Sequence, residues 1–138
     1  KQSIIRKLHK SEEVLKRKKV LITDDDDRNV YSLLSALEPE GMECFKAENG
    51  KVALEILEKE KEIDIILMDV MMPEMDGFEA TRKIRSMPEY RKTPIIALTA
   101  KAMKDDREKC LAAGMSDYIS KPLNVQQLLS LMRVWLYS

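Results

Sequence analysis

Five polar residues stand where apolar runs of this chain end, and their types could together support phosphoryl chemistry. Asp24 and Asp25 follow a short apolar run, Asp69 and Thr99 follow two longer runs, and Lys121 follows the last. In an open parallel sheet, ligands bind in the crevice beyond the carboxyl ends of the strands, where these residues would meet. A single Asp after a strand often only caps the next helix. Four strand ends that each supply a suitable group predict a functional site.

The residue types define the chemistry of this predicted site. Three carboxylates close together repel one another, and oxygen ligands with room for water favour Mg²⁺, for which Mn²⁺ could substitute. Asp69 could accept a phosphoryl group as an acyl phosphate. Such transfer needs in-line positioning and neutralised equatorial oxygens, which Mg²⁺, the Lys121 ammonium and the Thr99 hydroxyl would provide. Asp26 and Asp27 are interpreted as helix-start charges rather than metal ligands.

Apolar strands alternate with amphipathic helices along most of the chain. Strands are predicted at 20–22, 42–46, 63–68, 94–98 and 118–119. Helices are predicted at 29–37, from 49–50 onward, at 78–85 and at 103–113, and a final helix turns Val125, Leu128, Leu129, Met132 and Trp135 inward. Apolar spacings of three and four residues indicate the helices, whereas nearly continuous apolar runs indicate strands covered on both faces. Five such repeats predict an α/β fold with a doubly wound parallel sheet.

Composition and charge argue against several classes of function. The 138 residues suffice for one well-packed domain, and 24 basic residues balance 24 acidic ones. This balance leaves no field that would steer the chain to nucleic acid or to an anionic membrane. Cys44 and Cys110 lack zinc or redox spacing and are interpreted as reduced thiols of a cytoplasmic protein. The chain begins at Lys1 and has no membrane-spanning run, so we interpret it as a fragment whose parent could still be membrane-anchored.

Residues 1–17 precede the repeats and are predicted to form a helical linker from an upstream domain, followed by one domain over 18–138. Ile4, Leu8, Ser11 and Leu15 are spaced like one seam of a helix. Two heptads are too few to hold a coiled coil without other contacts. His9 is interpreted as a solvated linker residue rather than as a phosphorylated histidine.

Four segments resemble the motifs of a response-regulator receiver domain. They read VLITDDDDRN at 20–29, LMDVMMPEMDG at 67–77, PIIALTA at 94–100 and YISKP at 118–122. The resemblance covers about residues 18–138, with all motifs in order. The stretch 102–115 resembles in particular the C-terminal receivers of hybrid sensor histidine kinases. This resemblance implies a flavodoxin-like fold with strand order 2-1-3-4-5.

The resemblance also implies a role for each acidic residue of the site. Asp69 would take a phosphoryl group from a phosphohistidine in a Mg²⁺-dependent reaction. Asp25 would bind the metal directly, and Asp24 would bind or orient it mainly through water. The backbone carbonyl of Met71 would complete the ligands that the protein supplies. The bulky Met71 side chain is also expected to hinder attack by water and so to prolong the phosphorylated state.

The remaining implied roles concern the response to phosphorylation. Lys121 would pair with the phosphoryl oxygens, and a cis bond to Pro122 would set the conformation of its loop. Thr99 would move toward the phosphoryl group, and Tyr118 would change its burial with it. These two residues would couple the site to the surface formed by the fourth helix, the fifth strand and the fifth helix.

The favoured function is a relay receiver in a hybrid histidine kinase. Such a domain takes phosphate from the kinase domain, which is expected in the same parent chain, and passes it to a histidine-phosphotransfer protein. It is not an enzyme as an isolated domain, although it promotes its own phosphorylation and dephosphorylation. The resemblance implies that the partner docks beside the first helix, near Val30 and Tyr31.

Two alternatives belong to other classes. A regulatory binding module would use phosphorylation to control its kinase or its oligomeric state, for example through a weak homodimer formed by Leu131, Val134 and Tyr137. An aspartyl-phosphate hydrolase of the haloacid-dehalogenase type would need a second Asp two residues after the nucleophile. Met71 occupies that position, which argues against the hydrolase.

Overall fold

The computed structural model describes residues 14–72, 75–100 and 104–137, in which five strands alternate with five helices. The strands are β1 (Lys19–Thr23), β2 (Glu43–Ala47), β3 (Ile65–Asp69), β4 (Ile95–Thr99) and β5 (Asp117–Ser120). The helices are α1 (Asp27–Leu37), α2 (Gly50–Glu60), α3 (Gly77–Arg85), α4 (Lys104–Ala113) and α5 (Val125–Leu136). Short 3₁₀ turns lie at Glu38–Glu40 and Pro88–Tyr90. The predicted elements are therefore all present, with ends that differ by one or two residues.

The five strands form one parallel sheet in the order β2-β1-β3-β4-β5. This order confirms the predicted doubly wound α/β fold. Every residue of β3 and β4 is buried, because helices cover both faces of a parallel sheet. The carboxyl ends of all five strands consequently lie along one edge, which we call the carboxyl pole, and their amino ends lie at the opposite amino pole.

Two apolar cores flank the sheet. Helices α2, α3 and α4 contribute to the first core through Ala53, Leu57, Ala80, Ile84 and Cys110. Helices α1 and α5 contribute to the second core through Val30, Leu33, Leu37, Leu128, Leu129 and Met132. Each set recurs at the helical spacing that the sequence predicted, so the sheet is held in a fixed position between two apolar layers.

Four helices begin at an Asp or Asn side chain that accepts a backbone hydrogen bond. Asp26 caps α1, Asn49 caps α2, Asp76 caps α3 and Asn124 caps α5. These caps satisfy amides that have no partner within the helix. They confirm the interpretation of Asp26 as a helix-start residue, and Asp27 lies in the first turn of α1.

The inward stripe predicted for the final helix is correct only in its middle. Leu128, Leu129 and Met132 are buried, but Val125 is 43% exposed and Trp135 is 39% exposed. Val125 is the first residue of α5, where the helix has only begun to cover the sheet. Trp135 lies at the flank of α5, and its indole Nε1 donates a hydrogen bond to Asp117 Oδ2 at 3.0 Å.

The residues before β1 form a turn, the N-terminal turn (residues 14–17), that packs against the domain. Leu15 is fully buried in the second core, and the Arg17 amide donates a 2.8 Å hydrogen bond to the Gly41 carbonyl. The sequence predicted Leu15 on a helical seam, but the structure places it in this turn. Leu15 therefore belongs to the packed unit. The rest of the seam and His9 lie outside the described residues.

The N-terminal turn and the end of α5 both lie at the amino pole. The turn precedes the first residue of β1, and α5 runs back from the carboxyl pole after Lys121. Arg133 near the end of α5 forms a 3.0 Å ion pair with Glu40, which precedes β2. Both chain connections of the described domain consequently leave from the same pole.

Two sequence expectations concern cysteines and membranes. Cys44 and Cys110 are free thiols, as expected. Across the described ranges, none of the helices combines the length and the apolar character needed to span a bilayer.

Candidate functional site

The sequence-predicted polar residues lie along the carboxyl pole of the sheet. Asp24 follows β1, Asp69 ends β3, Thr99 ends β4 and Lys121 follows β5. The strand register places Asp69 beside Leu98, one residue before Thr99, and Thr99 beside Ser120, one residue before Lys121. Side chains from four separate loops and strand ends are therefore neighbours, as the strand-end pattern predicted.

Three carboxylates form an acidic cluster at the centre of this pole. Oxygen atoms of Asp24, Asp25 and Asp69 all lie within 4.8 Å of one another. Asp24 and Asp69 are buried, whereas Asp25 is exposed. An all-oxygen donor set with one solvent-facing member fits a hard divalent cation that keeps part of its water shell, as Mg²⁺ does.

The position of Asp24 is fixed from three sides. Its amide donates to the Ala47 carbonyl at 3.1 Å, which ties it to the end of β2. One carboxylate oxygen accepts a 2.9 Å hydrogen bond from the Asp26 amide. The other oxygen lies 3.4 Å from Lys121 Nζ. A buried carboxylate held in this way can orient a ligand without moving.

Lys121 links two of the carboxylates. Its Nζ lies 3.3 Å from Asp69 Oδ1 and 3.4 Å from Asp24 Oδ2. Its backbone amide donates a 2.7 Å hydrogen bond to the Thr99 carbonyl, and its bond to Pro122 is cis, as expected from the sequence. The ammonium is therefore directed at the acidic cluster by both its backbone and its side chain.

The acidic cluster changes the pKa values of its own members. Burial and the neighbouring Asp24 charge raise the pKa of Asp69 to about 6, although Lys121 acts in the opposite direction. Burial alone would lower the pKa of Lys121, but the Asp69 and Asp24 carboxylates outweigh it and raise that pKa. One ammonium thus only partly compensates for the negative charge here, which leaves room for a second cation.

The loop after β3 holds Asp69 against the start of α3. The Met71 amide donates to Asp69 Oδ1 at 3.3 Å, and the Gly77 amide donates to the Val70 carbonyl at 3.0 Å. A Cβ at Gly77 would clash with the Asp69 carbonyl oxygen and would lie 2.9 Å from Val70 Cα. Gly77 is therefore a positioning residue, to which the sequence analysis assigned no role of its own. The Asp76-Gly77 dipeptide was the available signal.

The two predicted switch residues lie at different depths. Thr99 is buried at the end of β4. Tyr118 is half-buried in β5, beside Ala97, and the Arg107 guanidinium of α4 lies 5.7 Å from its ring centroid. This cation–π contact was not predicted, because it depends on how α4 is placed over β5. Met71, two residues after Asp69, is 75% exposed.

A family described as the response regulator receiver domain matches residues 20–133 of this chain. The histidine-protein kinase BarA of Shigella flexneri is 40% identical over 113 residues, which cover 82% of this chain and 12% of BarA. The response regulator DivK of Brucella anthropi is 37% identical over 119 residues, which cover 86% of this chain and 96% of DivK. This chain spans only 12–13% of the length of the histidine kinases that it matches first.

A similar solved structure is the receiver domain of the sensor histidine kinase PA1611 from Pseudomonas aeruginosa. It has a TM-score of 0.82 and 37% identity to this chain, and the match covers 88% of this chain and 99% of that domain. Its active-site cleft coordinates a magnesium ion. The likeness therefore extends over nearly the whole fold.

Proposed function

The chain belongs to the response regulator receiver domain family, the phosphoacceptor modules of two-component signal transduction, and we propose that Asp69 accepts a phosphoryl group from a phosphohistidine and passes it to a histidine-phosphotransfer partner. The observation that carries this proposal is the position of Lys121 Nζ, 3.3 Å from Asp69 and 3.4 Å from Asp24. A carboxylate that both contacts an ammonium and belongs to an acidic cluster can act as a nucleophile toward phosphorus once the cluster is neutralised.

The acidic cluster would hold Mg²⁺, with Mn²⁺ as a substitute. Asp25 would bind the metal directly, Asp24 and Asp69 would complete the carboxylate side, and the Met71 carbonyl would supply a fourth protein oxygen. Two observations support this. Oxygen atoms of the three carboxylates lie within 4.8 Å of one another, and one of the three carboxylates faces solvent. A bound Mg²⁺ would neutralise negative charge on the phosphoryl oxygens.

The residues of the chain then act in one transfer step. An Asp69 oxygen forms the bond to phosphorus while the bond from phosphorus to the donor imidazole nitrogen breaks. The imidazole keeps that electron pair and takes up a proton. Lys121 pairs with a phosphoryl oxygen in place of the Asp69 oxygen it contacts now, and the Thr99 hydroxyl donates to a second one. Tyr118 lies in β5, the strand next to β4, and changes its burial as Thr99 moves.

The relay partner would dock at the carboxyl pole beside α1. Tyr31 of α1 is 72% exposed, so its ring is available for contact with a partner. Val30 is buried and helps to line a groove of about 270 Å³ next to Asp24, Asp27 and Lys46. Tyr31 would therefore make direct contact with the partner, and Val30 would form the floor of the groove.

The alternative is a regulatory binding module whose contacts depend on phosphorylation. It is supported by the exposure of Val134 on α5 and of Tyr137 directly after α5, although Leu131, the third residue of the predicted patch, is half-buried. The likeness to DivK, which this chain matches over most of its length, also fits a receiver that works without a fused kinase. Such a module would change its oligomeric state or its affinity for a partner rather than lose its phosphate to one.

Phosphorylation by acetyl phosphate with and without Mg²⁺, read by intact mass, tests the central proposal. Wild type should gain one phosphoryl group only when the metal is present. Asp69→Asn should gain none, whereas the control Asp27→Asn, an exposed change on the first turn of α1, should behave as wild type. Labelling of Asp69→Asn, or labelling of wild type without metal, would overturn the proposal.

The same labelled protein distinguishes the relay from the binding module. Addition of a histidine-phosphotransfer domain should remove the label from a relay receiver, and the label should appear on that domain. A label that stays in place, together with a shift in size-exclusion elution, would instead support the regulatory module.

A further inference from the structure

We propose that Met71 is a modification site, at which a hydroperoxide oxidises the thioether to a sulfoxide and thereby shortens the phosphorylated state of Asp69. This reaction would give the domain a second chemical input besides the phosphoryl group. The effect on the phosphorylated state rests on the proposed function, whereas the oxidation of Met71 is tested without phosphorylation.

Met71 differs from the other described methionines in its access to solvent. Its exposed fraction is 75%. The methionines that are at most 8% exposed are Met42, Met68, Met72, Met115 and Met132. Met75 and Met87 are half-buried and pack against the first core. Because a peroxide dissolved in water oxidises the sulfur atoms that it can reach, Met71 is expected to react first among the methionines that the structure describes.

The exposure of Met71 follows from the packing of its neighbours. Val70 and Met72, on either side of it, are buried in the first core. The Met71 amide donates a 3.3 Å hydrogen bond to Asp69 Oδ1. Since both neighbours and the amide of Met71 are held by the domain, the folded chain presents this side chain to solvent without any local opening.

The two cysteines do not compete with Met71 for a peroxide at neutral pH. Peroxides oxidise the thiolate form of a cysteine, not the thiol. Burial raises the pKa of Cys110, which is 1% exposed. Burial, together with the Glu38 charge, raises the pKa of Cys44 to about 11. Both cysteines therefore stay protonated near pH 7, whereas a thioether reacts without losing a proton.

The oxidation transfers one oxygen atom to sulfur. A lone pair of the Met71 sulfur attacks the terminal oxygen of the hydroperoxide, and the O–O bond breaks as the S–O bond forms. The proton on the transferred oxygen moves to the departing oxygen, which leaves as water or as an alcohol. The sulfur is oxidised by two electrons and the peroxide is reduced by two. The sulfoxide is polar, and methionine sulfoxide reductases convert it back to the thioether.

The modified side chain adjoins the acceptor site. Met71 is two residues after Asp69, and Met71 and Thr99 both contribute to the wall of a mainly apolar cavity of about 300 Å³. A sulfoxide oxygen accepts hydrogen bonds from water, whereas a thioether sulfur is only a weak acceptor. Oxidation thus draws water to a side chain that is expected to hinder it. Hydrolysis of the acyl phosphate on Asp69 consequently becomes faster.

Exposure of the intact, unphosphorylated chain to hydrogen peroxide tests the modification site. A chelator keeps trace metals from producing radicals, and peptide mapping by mass spectrometry gives the rate at each sulfur. Met71 should gain one oxygen atom at least about tenfold faster than Met75 and Met87, because solvent reaches its sulfur in the folded state. In urea, where the chain is unfolded, all methionines should react at similar rates. A Met71 that reacts no faster than Met75 in the folded chain, or more slowly than either cysteine, would overturn the assignment.

The loss of label after phosphorylation by acetyl phosphate tests the effect on the phosphorylated state. Peroxide-treated wild type should lose its phosphoryl group severalfold faster than untreated wild type, as measured by intact mass. Methionine sulfoxide reductases should restore the slower rate. The matched variant Met71→Leu is apolar but has no sulfur, so its rate should be the same before and after peroxide. Every sample carries Met103→Leu, so that this methionine, which lies outside the described residues, does not contribute.

Two results would overturn the effect on the phosphorylated state. One is an oxidised wild type that keeps its label as long as the untreated protein does. The other is a Met71→Leu variant that peroxide accelerates as much as wild type, which would assign the effect to a different residue. An untreated wild type that takes no label would count against the proposed function and against this effect. Peptide mapping would still decide whether Met71 is the oxidation site.

Discussion

At the scale of residues, the acceptor site contains more negative charge than its lysine compensates for. Burial and Asp24 together raise the pKa of Asp69 to about 6, against an ordinary value near 3.8. Without a metal, the folded domain holds this carboxylate at a cost in stability at neutral pH. The site is therefore built for a charged ligand rather than for the stability of the domain.

We predict that Asp69→Asn stabilises the metal-free domain at pH 7 by about 1–3 kcal/mol. Because the folded-state pKa is raised, wild type binds an extra proton on folding between about pH 6 and pH 4, so its stability increases as the pH falls through that window. The advantage of Asp69→Asn should shrink over the same window and be lost near pH 4. Urea unfolding at several pH values in the presence of a chelator measures this difference.

Asp27→Asn is the control for this pH dependence, because Asp27 is exposed and outside the acidic cluster. A stability gain of Asp69→Asn that stays constant from pH 7 to pH 4 would mean that the charge of Asp69 is not its cause.

Met71→Asn should shorten the lifetime of the phosphorylated state severalfold. Met71 is 75% exposed and lies two residues after Asp69, and we expect its apolar side chain to hinder the approach of water to the phosphoryl group. An amide in its place would hydrogen-bond to that water instead of excluding it. Loss of label after removal of acetyl phosphate, followed by intact mass, gives the rate. An unchanged rate would show that Met71 does not shield the site.

At the scale of elements, most of the site could be predicted because it depends on strand ends. The type of each residue at the end of an apolar run, together with the rule that parallel strands end at one edge, placed Asp24, Asp69, Thr99 and Lys121 together. Asp26 could also be predicted at the start of a helix, where it caps α1. The hydrogen bonds that Arg85 donates to the Gly114 and Thr93 carbonyls could not be predicted, since a basic residue in the last turn of a helix usually only faces solvent near the helix dipole.

Gly77→Ala should destabilise the domain by about 1–3 kcal/mol and displace Asp69. A Cβ there meets the backbone of Asp69 and Val70, which cannot rotate away. The matched control is Gly50→Ala, also at the first residue of a helix, because its Cβ would meet the flexible Met75 side chain at 2.8 Å and the Ala80 Cβ at 3.1 Å, but no backbone atom among its nearest neighbours. Thermal unfolding and the rate of labelling by acetyl phosphate should both be affected at Gly77 and much less at Gly50. Equal effects at the two positions would contradict the role assigned to Gly77.

At the scale of the whole molecule, the N-terminal turn is part of the folded unit. The helical seam predicted from Ile4 to Leu15 followed spacing alone. Spacing could not show that the chain bends at Arg17, with a φ of +68°, and buries Leu15 under α1 and α5. This contact depends on residues far apart in sequence, such as Leu37 and Met132.

Leu15→Ala should lower the free energy of unfolding by about 2–5 kcal/mol, as expected for truncation of a fully buried leucine. Val125→Ala is the control, since Val125 is 43% exposed at the start of α5 and should cost far less. Chemical denaturation of the two variants measures the difference. A loss at Leu15 no larger than that at Val125 would mean that the N-terminal turn is not part of the core.

The chain enters and leaves the described domain at the amino pole, and this arrangement affects the order in which partners can bind at Asp69. Residues 14 and 137, the two ends of the described domain, lie at the end of the sheet that is farthest from Asp69, about 17 Å away along a five-residue strand. Among the described residues, the carboxyl pole brings Asp24, Asp25, Asp69 and Lys121 together in one crevice. In the proposed relay, a histidine that delivers phosphate and a histidine that removes it would therefore occupy this crevice alternately. Transfer through this domain should follow ping-pong kinetics, in which the phosphate donor and the phosphate acceptor compete for binding at the same crevice.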